Sequence, residues 1–282
     1  MSAAHLSRDR VDTEAFARAV TTTARSERAA APSSYEQAGY AVHRGVLDTE
    51  LVARADRHVD WLLASNPELR PDQLGHRLAR TDPFWYELVA DDRLLDVAEE
   101  YIGPDIALFA THYICKEPRT GRRVPWHHDA GFWPLDPMDV VTLWLAITES
   151  TPDNGCLGVV PGSHRSPPVE LVESGRDEVL GREVPVDVDP STVVLLTMAP
   201  GDVSVHHPAI IHGSEPNRSD RWRRGLTIRY IPTTTRILDD DAAAPFLLRG
   251  TGDERNTYLP VPSPDRDQAE HLGHDPCEGG IG

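Results

Sequence analysis

Cysteine is scarce. The 282 residues hold only Cys115, Cys156 and Cys277, too few and too scattered for a disulfide framework or a cysteine-based zinc site. Positive charge is also short: 28 Lys and Arg stand against 45 Asp and Glu, a formal net charge of −17. That balance excludes the basic footprint of nucleic-acid binders. Apolar runs long enough to cross a bilayer, about 20 residues, are missing. The opening residues, MSAAHLSRDR, carry no apolar segment of the secretory kind. No Gly-x-Ser-x-Gly elbow is present, so a Ser-His-Asp hydrolase finds no support. The expectation is a cytoplasmic protein with neither nucleic acid nor membrane as partner.

What remains is a hydrophobic fraction of 39%, enough for one core. The length suits one large domain with appendages. Residues 1–34, rich in Ala, Thr and Arg, read as a mobile N-terminal arm. Residues 35–238 read as the folded domain, and 239–282, acidic and rich in Pro and Gly, as linker and tail. His271, His274 and Cys277 lie in that polar tail and are not expected to form a metal site.

Inside the domain, Gly39 to Val46 alternates like a short strand. Asp48 is placed to cap a helix whose apolar face is Leu51, Ala55, Val59 and Leu62, and Asn66-Pro67 stops it. A second helix is expected from about Pro83 to Tyr101, ended by Gly103-Pro104. Strands are expected over 106–115, 140–148, 156–160, 192–197, 203–207 and 226–231. Asp153-Asn154-Gly155 reads as a tight hairpin turn between two of them. The fold class is therefore mainly β with flanking helices (α+β), a sandwich or jelly roll.

The chemistry centres on Trp126-His127-His128-Asp129. Side chains alternate along a strand, so His127 and Asp129 share a side and His128 faces away. His-x-Asp supplies two ligands of the two-histidine, one-carboxylate triad of non-heme Fe(II) oxygenases. A third ligand must come from a distant strand, and His212 is the candidate. His206 and His207 compete, although Pro208 interrupts the ladder beside them. Downstream lies a basic cluster of Arg218, Arg221, Arg223 and Arg224. An arginine fork suits the distal carboxylate of a dicarboxylate cosubstrate such as 2-oxoglutarate, with Ser214 able to add a hydroxyl. Arg218 and Arg221 read as solvated turn residues, and His164 in Pro161-Gly162-Ser163-His164 as part of the rim.

Trp126-His127-His128-Asp129, Asp153-Asn154-Gly155-Cys156-Leu157, Pro161-Gly162-Ser163-His164-Arg165 and His212-Gly213-Ser214-x-x-Asn217-x-Ser219 together resemble the signature blocks of the phytanoyl-CoA dioxygenase family. The likeness covers about residues 35 to 235. It implies a double-stranded β-helix (jelly roll, cupin-like) core and Fe(II)/2-oxoglutarate-dependent dioxygenase chemistry, with O2 consumed. It makes His127, Asp129 and His212 the iron ligands and catalytic centre. Arg223, with Arg224 as fallback, becomes the 2-oxoglutarate anchor, helped by Ser214 and His112. Trp144 aligns with a family tryptophan near the cosubstrate. His128 departs from the family, which commonly has glutamine there. An aspartate at position 129 implies oxygenation over halogenation, because related halogenases carry a small residue there. Phe132 and Trp133 are candidates to line the substrate pocket. The expected outcome is hydroxylation of a small molecule in specialised metabolism. Desaturation, epimerisation or cyclisation share the same triad, and a non-catalytic binding protein on the same scaffold is the alternative.

Overall fold

The computed structural model describes residues 32–75, 80, 82–174, 178–238 and 244–262. Most of the expected arm (1–31), the linker residues 239–243 and the tail (263–282, with His271, His274 and Cys277) lie outside the described residues. The elements begin with α1 (Pro32–Ala38), β1 (Tyr40–His43), α2 (Thr49–Ser65), β2 (Leu74–Gly75), α3 (Pro83–Val89) and α4 (Asp92–Ile102). Then come β3 (Ile106–Tyr113), β4 (Val124–His127), β5 (Leu135–Asp136), β6 (Val141–Ala146), β7 (Leu157–Val159), β8 (Val172–Glu173) and β9 (Arg182–Glu183). The chain continues with β10 (Val194–Leu196), β11 (Val203–His206), β12 (His212–Ser214), β13 (Gly225–Pro232), β14 (Arg236–Ile237) and β15 (Phe246–Arg249).

Each long helix starts on an aspartate. Asp48 accepts from the Leu51 amide at 2.9 Å, satisfying one of the free N–H groups of the first turn of α2. The expected single helix from Pro83 to Tyr101 is instead two. Asp91 caps a new start by accepting from the Arg93 amide at 3.0 Å, and this local bond competes with continuation of α3 through Ala90. Asp82 caps α3 in the same way, through the Trp85 amide. Gly103, at φ +80°, ends α4.

A large antiparallel sheet runs β1-β11-β6-β13-β3-β15, with β2 also on β3, and a smaller one runs β10-β7-β12-β4. Alternation in the large sheet separates two environments. Leu143 and Leu145 of β6, Val203 and Val205 of β11, and Leu226, Ile228 and Tyr230 of β13 form one core with the inner faces of α2 to α4. Their neighbours Trp144, His206, Thr227 and Arg229 line a cavity on the other side. Burying each apolar side chain is worth about 1.5–3 kcal/mol. A one-residue slip would exchange the two sets, so register is held firmly.

Three further expectations change here. Asp153-Asn154-Gly155 is no hairpin; it is a 3-10 turn, Pro152–Asn154, carrying the chain from β6 in the large sheet to β7 in the small one. The Asn154 carboxamide accepts from Thr151 N and donates to Glu149 O. Gly155 is left-handed at φ +79°, and a Cβ there would lie 2.2 Å from Glu215 O. The stretch expected as linker and tail also holds a strand. β15 pairs with β3, and Phe246, 2% exposed, packs on Trp85 and Tyr86. Four residues beside acidic and Pro-rich sequence give a weak periodic signal. Likewise α1 starts inside the stretch expected as arm.

Candidate active site

His127 ends β4 and His212 opens β12, and the two are Cα partners across the ladder. The pleat alone does not deliver Asp129. The strand stops at His127, His128 stays extended (φ −127°, ψ 142°), and Asp129 begins a 3-10 turn, Asp129–Gly131. His128 faces away from the pair. Its Nε2 donates to Val169 O at 2.8 Å and its Nδ1 accepts from Gly131 N at 3.1 Å, pinning the turn.

Among the described residues, His127, Asp129 and His212 are the one cluster whose ligand atoms all lie within 4.8 Å of one another. Asp129 Oδ1 sits 3.6 Å from His127 Nε2 and 3.8 Å from His212 Nε2. Each histidine turns Nδ1 to a carbonyl, His127 to Pro125 O at 2.8 Å and His212 to Ile210 O at 3.0 Å. A carbonyl only accepts, so Nδ1 carries the proton and Nε2 presents its lone pair to the cluster. Burial, with His127 and His206 nearby, holds the His212 imidazole well below its ordinary pKa, so it is neutral. Burial pushes the Asp129 carboxyl up, but Arg229 and the surrounding histidines more than offset this and hold it well below the carboxylate range. Two imidazole Nε2 atoms and one carboxylate oxygen around a common point are a donor set that fits a divalent metal.

The second carboxylate oxygen is held from the large sheet. Thr142 Oγ1 donates to Asp129 Oδ2 at 3.1 Å, and His206 Nε2 lies 3.6 Å from the same atom. Next to the cluster is a cavity of about 220 Å3, and His112, Phe132, Trp133, Trp144, Ser214 and Arg223 all line it. Arg223 is 1% exposed, with Nη2 3.5 Å from Ser214 Oγ and the guanidinium 5.3 Å from the Trp144 ring centre. Its Nε has no partner, and burial lowers its pKa to about 10, still charged at neutral pH. Gly225 makes room for this stack, since a Cβ there would meet Trp144 Cζ2 at 2.1 Å.

Arg224 points the other way, donating to Asp56 Oδ1 at 2.8 Å and Asp60 Oδ1 at 2.6 Å. It therefore takes no part in the cavity. Arg221 pairs at the surface with Glu149 and Asp153. His112 lines the cavity while its Nε2 donates to Asp72 O at 2.9 Å. His164 lies outside it, against Glu36 O and the His207 ring. Phe132 is 36% exposed and sets its edge against His127.

Two ionisable cavity residues are not legible in the sequence. Pro208 argues against His206 there, yet His206 is the last residue of β11, is buried, and both ring nitrogens lack a hydrogen-bond partner among the described residues. Arg229 belongs to none of the sequence motifs. The available signal was a charged residue between Ile228 and Tyr230, in phase with Thr227, within an otherwise apolar strand.

Comparison with known proteins agrees with this arrangement. The model of the phytanoyl-CoA dioxygenase (PhyH) family matches residues 35–225. A probable alpha-ketoglutarate-dependent hypophosphite dioxygenase of Stutzerimonas stutzeri is 33% identical over 155 residues, 51% of this chain and 51% of the relative. A probable phytanoyl-CoA dioxygenase of Caenorhabditis elegans is 35% identical over 162 residues, 53% of this chain and 51% of the relative. The chain thus spans about half the length of these curated relatives. In fold it is similar to the apo form of the non-heme monooxygenase ThoJ, with a TM-score of 0.69 and 24% identity over 86% of this chain and 92% of that one. With two thirds of its length matched and a mainly antiparallel jelly-roll core behind the match, the chain belongs to the phytanoyl-CoA dioxygenase family.

Proposed function

We propose that the protein is an Fe(II)/2-oxoglutarate-dependent dioxygenase that hydroxylates a small molecule of specialised metabolism. The observation carrying this is the convergence of two Nε2 lone pairs and one carboxylate oxygen beside a cavity that contains the under-partnered Arg223. When bound, Fe(II) supplies the oxidative chemistry, coupling decarboxylation of 2-oxoglutarate by O2 to oxidation of a substrate C–H bond.

The chain's own residues bind, orient and exclude water. His127, Asp129 and His212 would hold the metal, with the tautomers of the two histidines set by Pro125 O and Ile210 O. Thr142 keeps Asp129 Oδ2 engaged, so that Oδ1 is the oxygen left beside His127 and His212. The Arg223 fork and the Ser214 hydroxyl receive the distal carboxylate of the cosubstrate, where planar bidentate pairing is strongest. Ile114, Val124 and Leu157 wall the cavity and keep it apolar between these polar ends. Phe132 and Trp133 border the volume left for the substrate. Relatives named for hypophosphite and for phytanoyl-CoA both match this chain, so substrate class has to be sought in this chain's own lining.

Anaerobic addition of Fe(II) and 2-oxoglutarate to the apoprotein should produce the visible charge-transfer absorption of the keto-acid chelate. His212→Ala should abolish it. An unchanged spectrum in the variant, or none in the wild type, would refute the proposal.

A further inference from the structure

Arg229 has no task in the chemistry above. It lies on β13 on the cavity side, and its side chain is 15% exposed. Nη1 donates to Thr227 Oγ1 at 2.8 Å, whereas Nε has no partner. The guanidinium rests 5.2 Å from the centre of the Trp133 ring, and Trp133 in turn meets Phe109 edge to face. Phe109 is the extra residue where β3 slips register opposite Arg229 and Tyr230. A bulge of this kind re-aims side chains beside a site.

The acid facing Arg229 is Asp129, whose Oδ1 lies 4.0 Å from Nη2. That oxygen also faces His127 and His212. A divalent metal at the cluster would engage Asp129 and repel the guanidinium, leaving Arg229 without a counter-ion among the described residues. Charge counting agrees. Arg223 and Arg229 bring two positive charges to the lining and Asp129 one negative. A divalent metal and a dianionic keto acid cancel, so the loaded cavity keeps one positive charge inside a chain whose net charge is −17.

The proposed function already takes up both ends of the cosubstrate. With its distal end at Arg223 and its keto-acid end at the metal, Arg229 faces the remaining volume beside Phe132 and Trp133.

We propose that Arg229 recognises an anionic group on the substrate, a carboxylate or comparable oxyanion, and holds it beside the metal against the Trp133 face. The substrate class is therefore a small organic acid or other monoanion, a conclusion that rests on the Fe(II)/2-oxoglutarate function above.

The test is calorimetric binding of acetate, hexanoate, methylphosphonate and inorganic phosphate, with hexanamide as the uncharged partner of hexanoate. The protein is loaded anaerobically with Fe(II) and 2-oxoglutarate. At least one anion should bind the wild type, hexanamide should bind more weakly than hexanoate, and Arg229→Met should weaken anion binding at least about tenfold. Arg229→Lys, keeping the charge without the fork, should fall between. The 2-oxoglutarate affinity of Arg229→Met, read from the charge-transfer absorption, should stay within about threefold of wild type. If Arg229→Met fails to fold, Arg229→Gln replaces it with the same expected losses. Equal anion binding by variant and wild type, no anion binding at all, or a variant that loses 2-oxoglutarate instead would overturn the assignment. Absence of the absorption in wild type would refute the oxygenase function by itself. Anion binding by wild type and variant loaded with Zn(II) alone, which engages Asp129 in the same way, would then still decide the role of Arg229: dependence on Arg229 supports it, and independence overturns it.

Discussion

Replacing Thr142 by valine removes one hydroxyl and almost no volume. Thr142 is fully buried, and its Oγ1 donates to Asp129 Oδ2 at 3.1 Å. Valine leaves no cavity, so the change isolates the hydrogen bond. A bond to a charged acceptor is worth about 1.5–3 kcal/mol net. Losing it frees the carboxylate to rotate toward His206 and Arg229, at 3.6 and 4.0 Å, and to withdraw Oδ1 from the metal. At 1.4 kcal/mol per decade, the expected loss of metal affinity is about 10- to 100-fold, the range found for partners of metal ligands. Anaerobic calorimetry with Fe(II), or Mn(II) as a less oxidisable substitute, measures it directly. Thr142→Ser is the control: it keeps the hydroxyl, drops a methyl, and should bind metal within about threefold of wild type. Thr142→Val binding metal as tightly as wild type, or Thr142→Ser as weakly as Thr142→Val, would refute this account of Asp129.

Two further outcomes separate neighbouring residues. Arg223→Met should weaken 2-oxoglutarate binding at least about 30-fold, the lower end of the 2–5 kcal/mol lost when a buried charge partner is removed. Arg224→Met should leave that affinity within about threefold, and its ion pairs with the partly exposed Asp56 and Asp60 should cost about 1–2 kcal/mol of stability in denaturant melts. His207 gives a pH signature. Burial, then His164 and His206, lower its pKa to about 4 from the ordinary 6.5, and Tyr35 is the other ring facing it. The unfolded chain thus binds the extra proton first. Stability is fully present above pH 6.5 and falls as pH drops through the window to about 4. The loss is on the order of 1–2 kcal/mol after screening at a partly exposed ring. His207→Gln should flatten that part of the stability curve, and an unchanged slope would show that other groups titrate there.

The parts readable from sequence were those with local spacing. His127 and Asp129 are two residues apart, whereas His212 and Arg223 join them through the likeness to the family's sequence blocks and not through spacing alone. Helix starts were equally local, because Asp48 marks α2 by its own side chain. Arg229 and His206 were not readable in this way. Alternation divides a strand into two faces, but it does not say which face meets a cavity until the partner sheet is known. The strand β15 is hidden for a related reason, since its four residues pair with β3, distant in sequence. The helix break at Ala90–Asp91 rests on a local bond, from the Arg93 amide to Asp91, which the continuous apolar pattern around it masks.

β13 serves two unlike surroundings at once, hydrocarbon toward the helices and a polar cavity toward the metal. That division limits how such a protein diversifies. Exchanging Thr227 or Arg229 alters what the cavity accepts and leaves Leu226, Ile228 and Tyr230 in place. Inserting or deleting one residue would send the arginine into the apolar core and Leu226, Ile228 and Tyr230 into the cavity. New substrate preferences are therefore open to point substitutions along the strand, whereas changes of length are confined to the connecting loops.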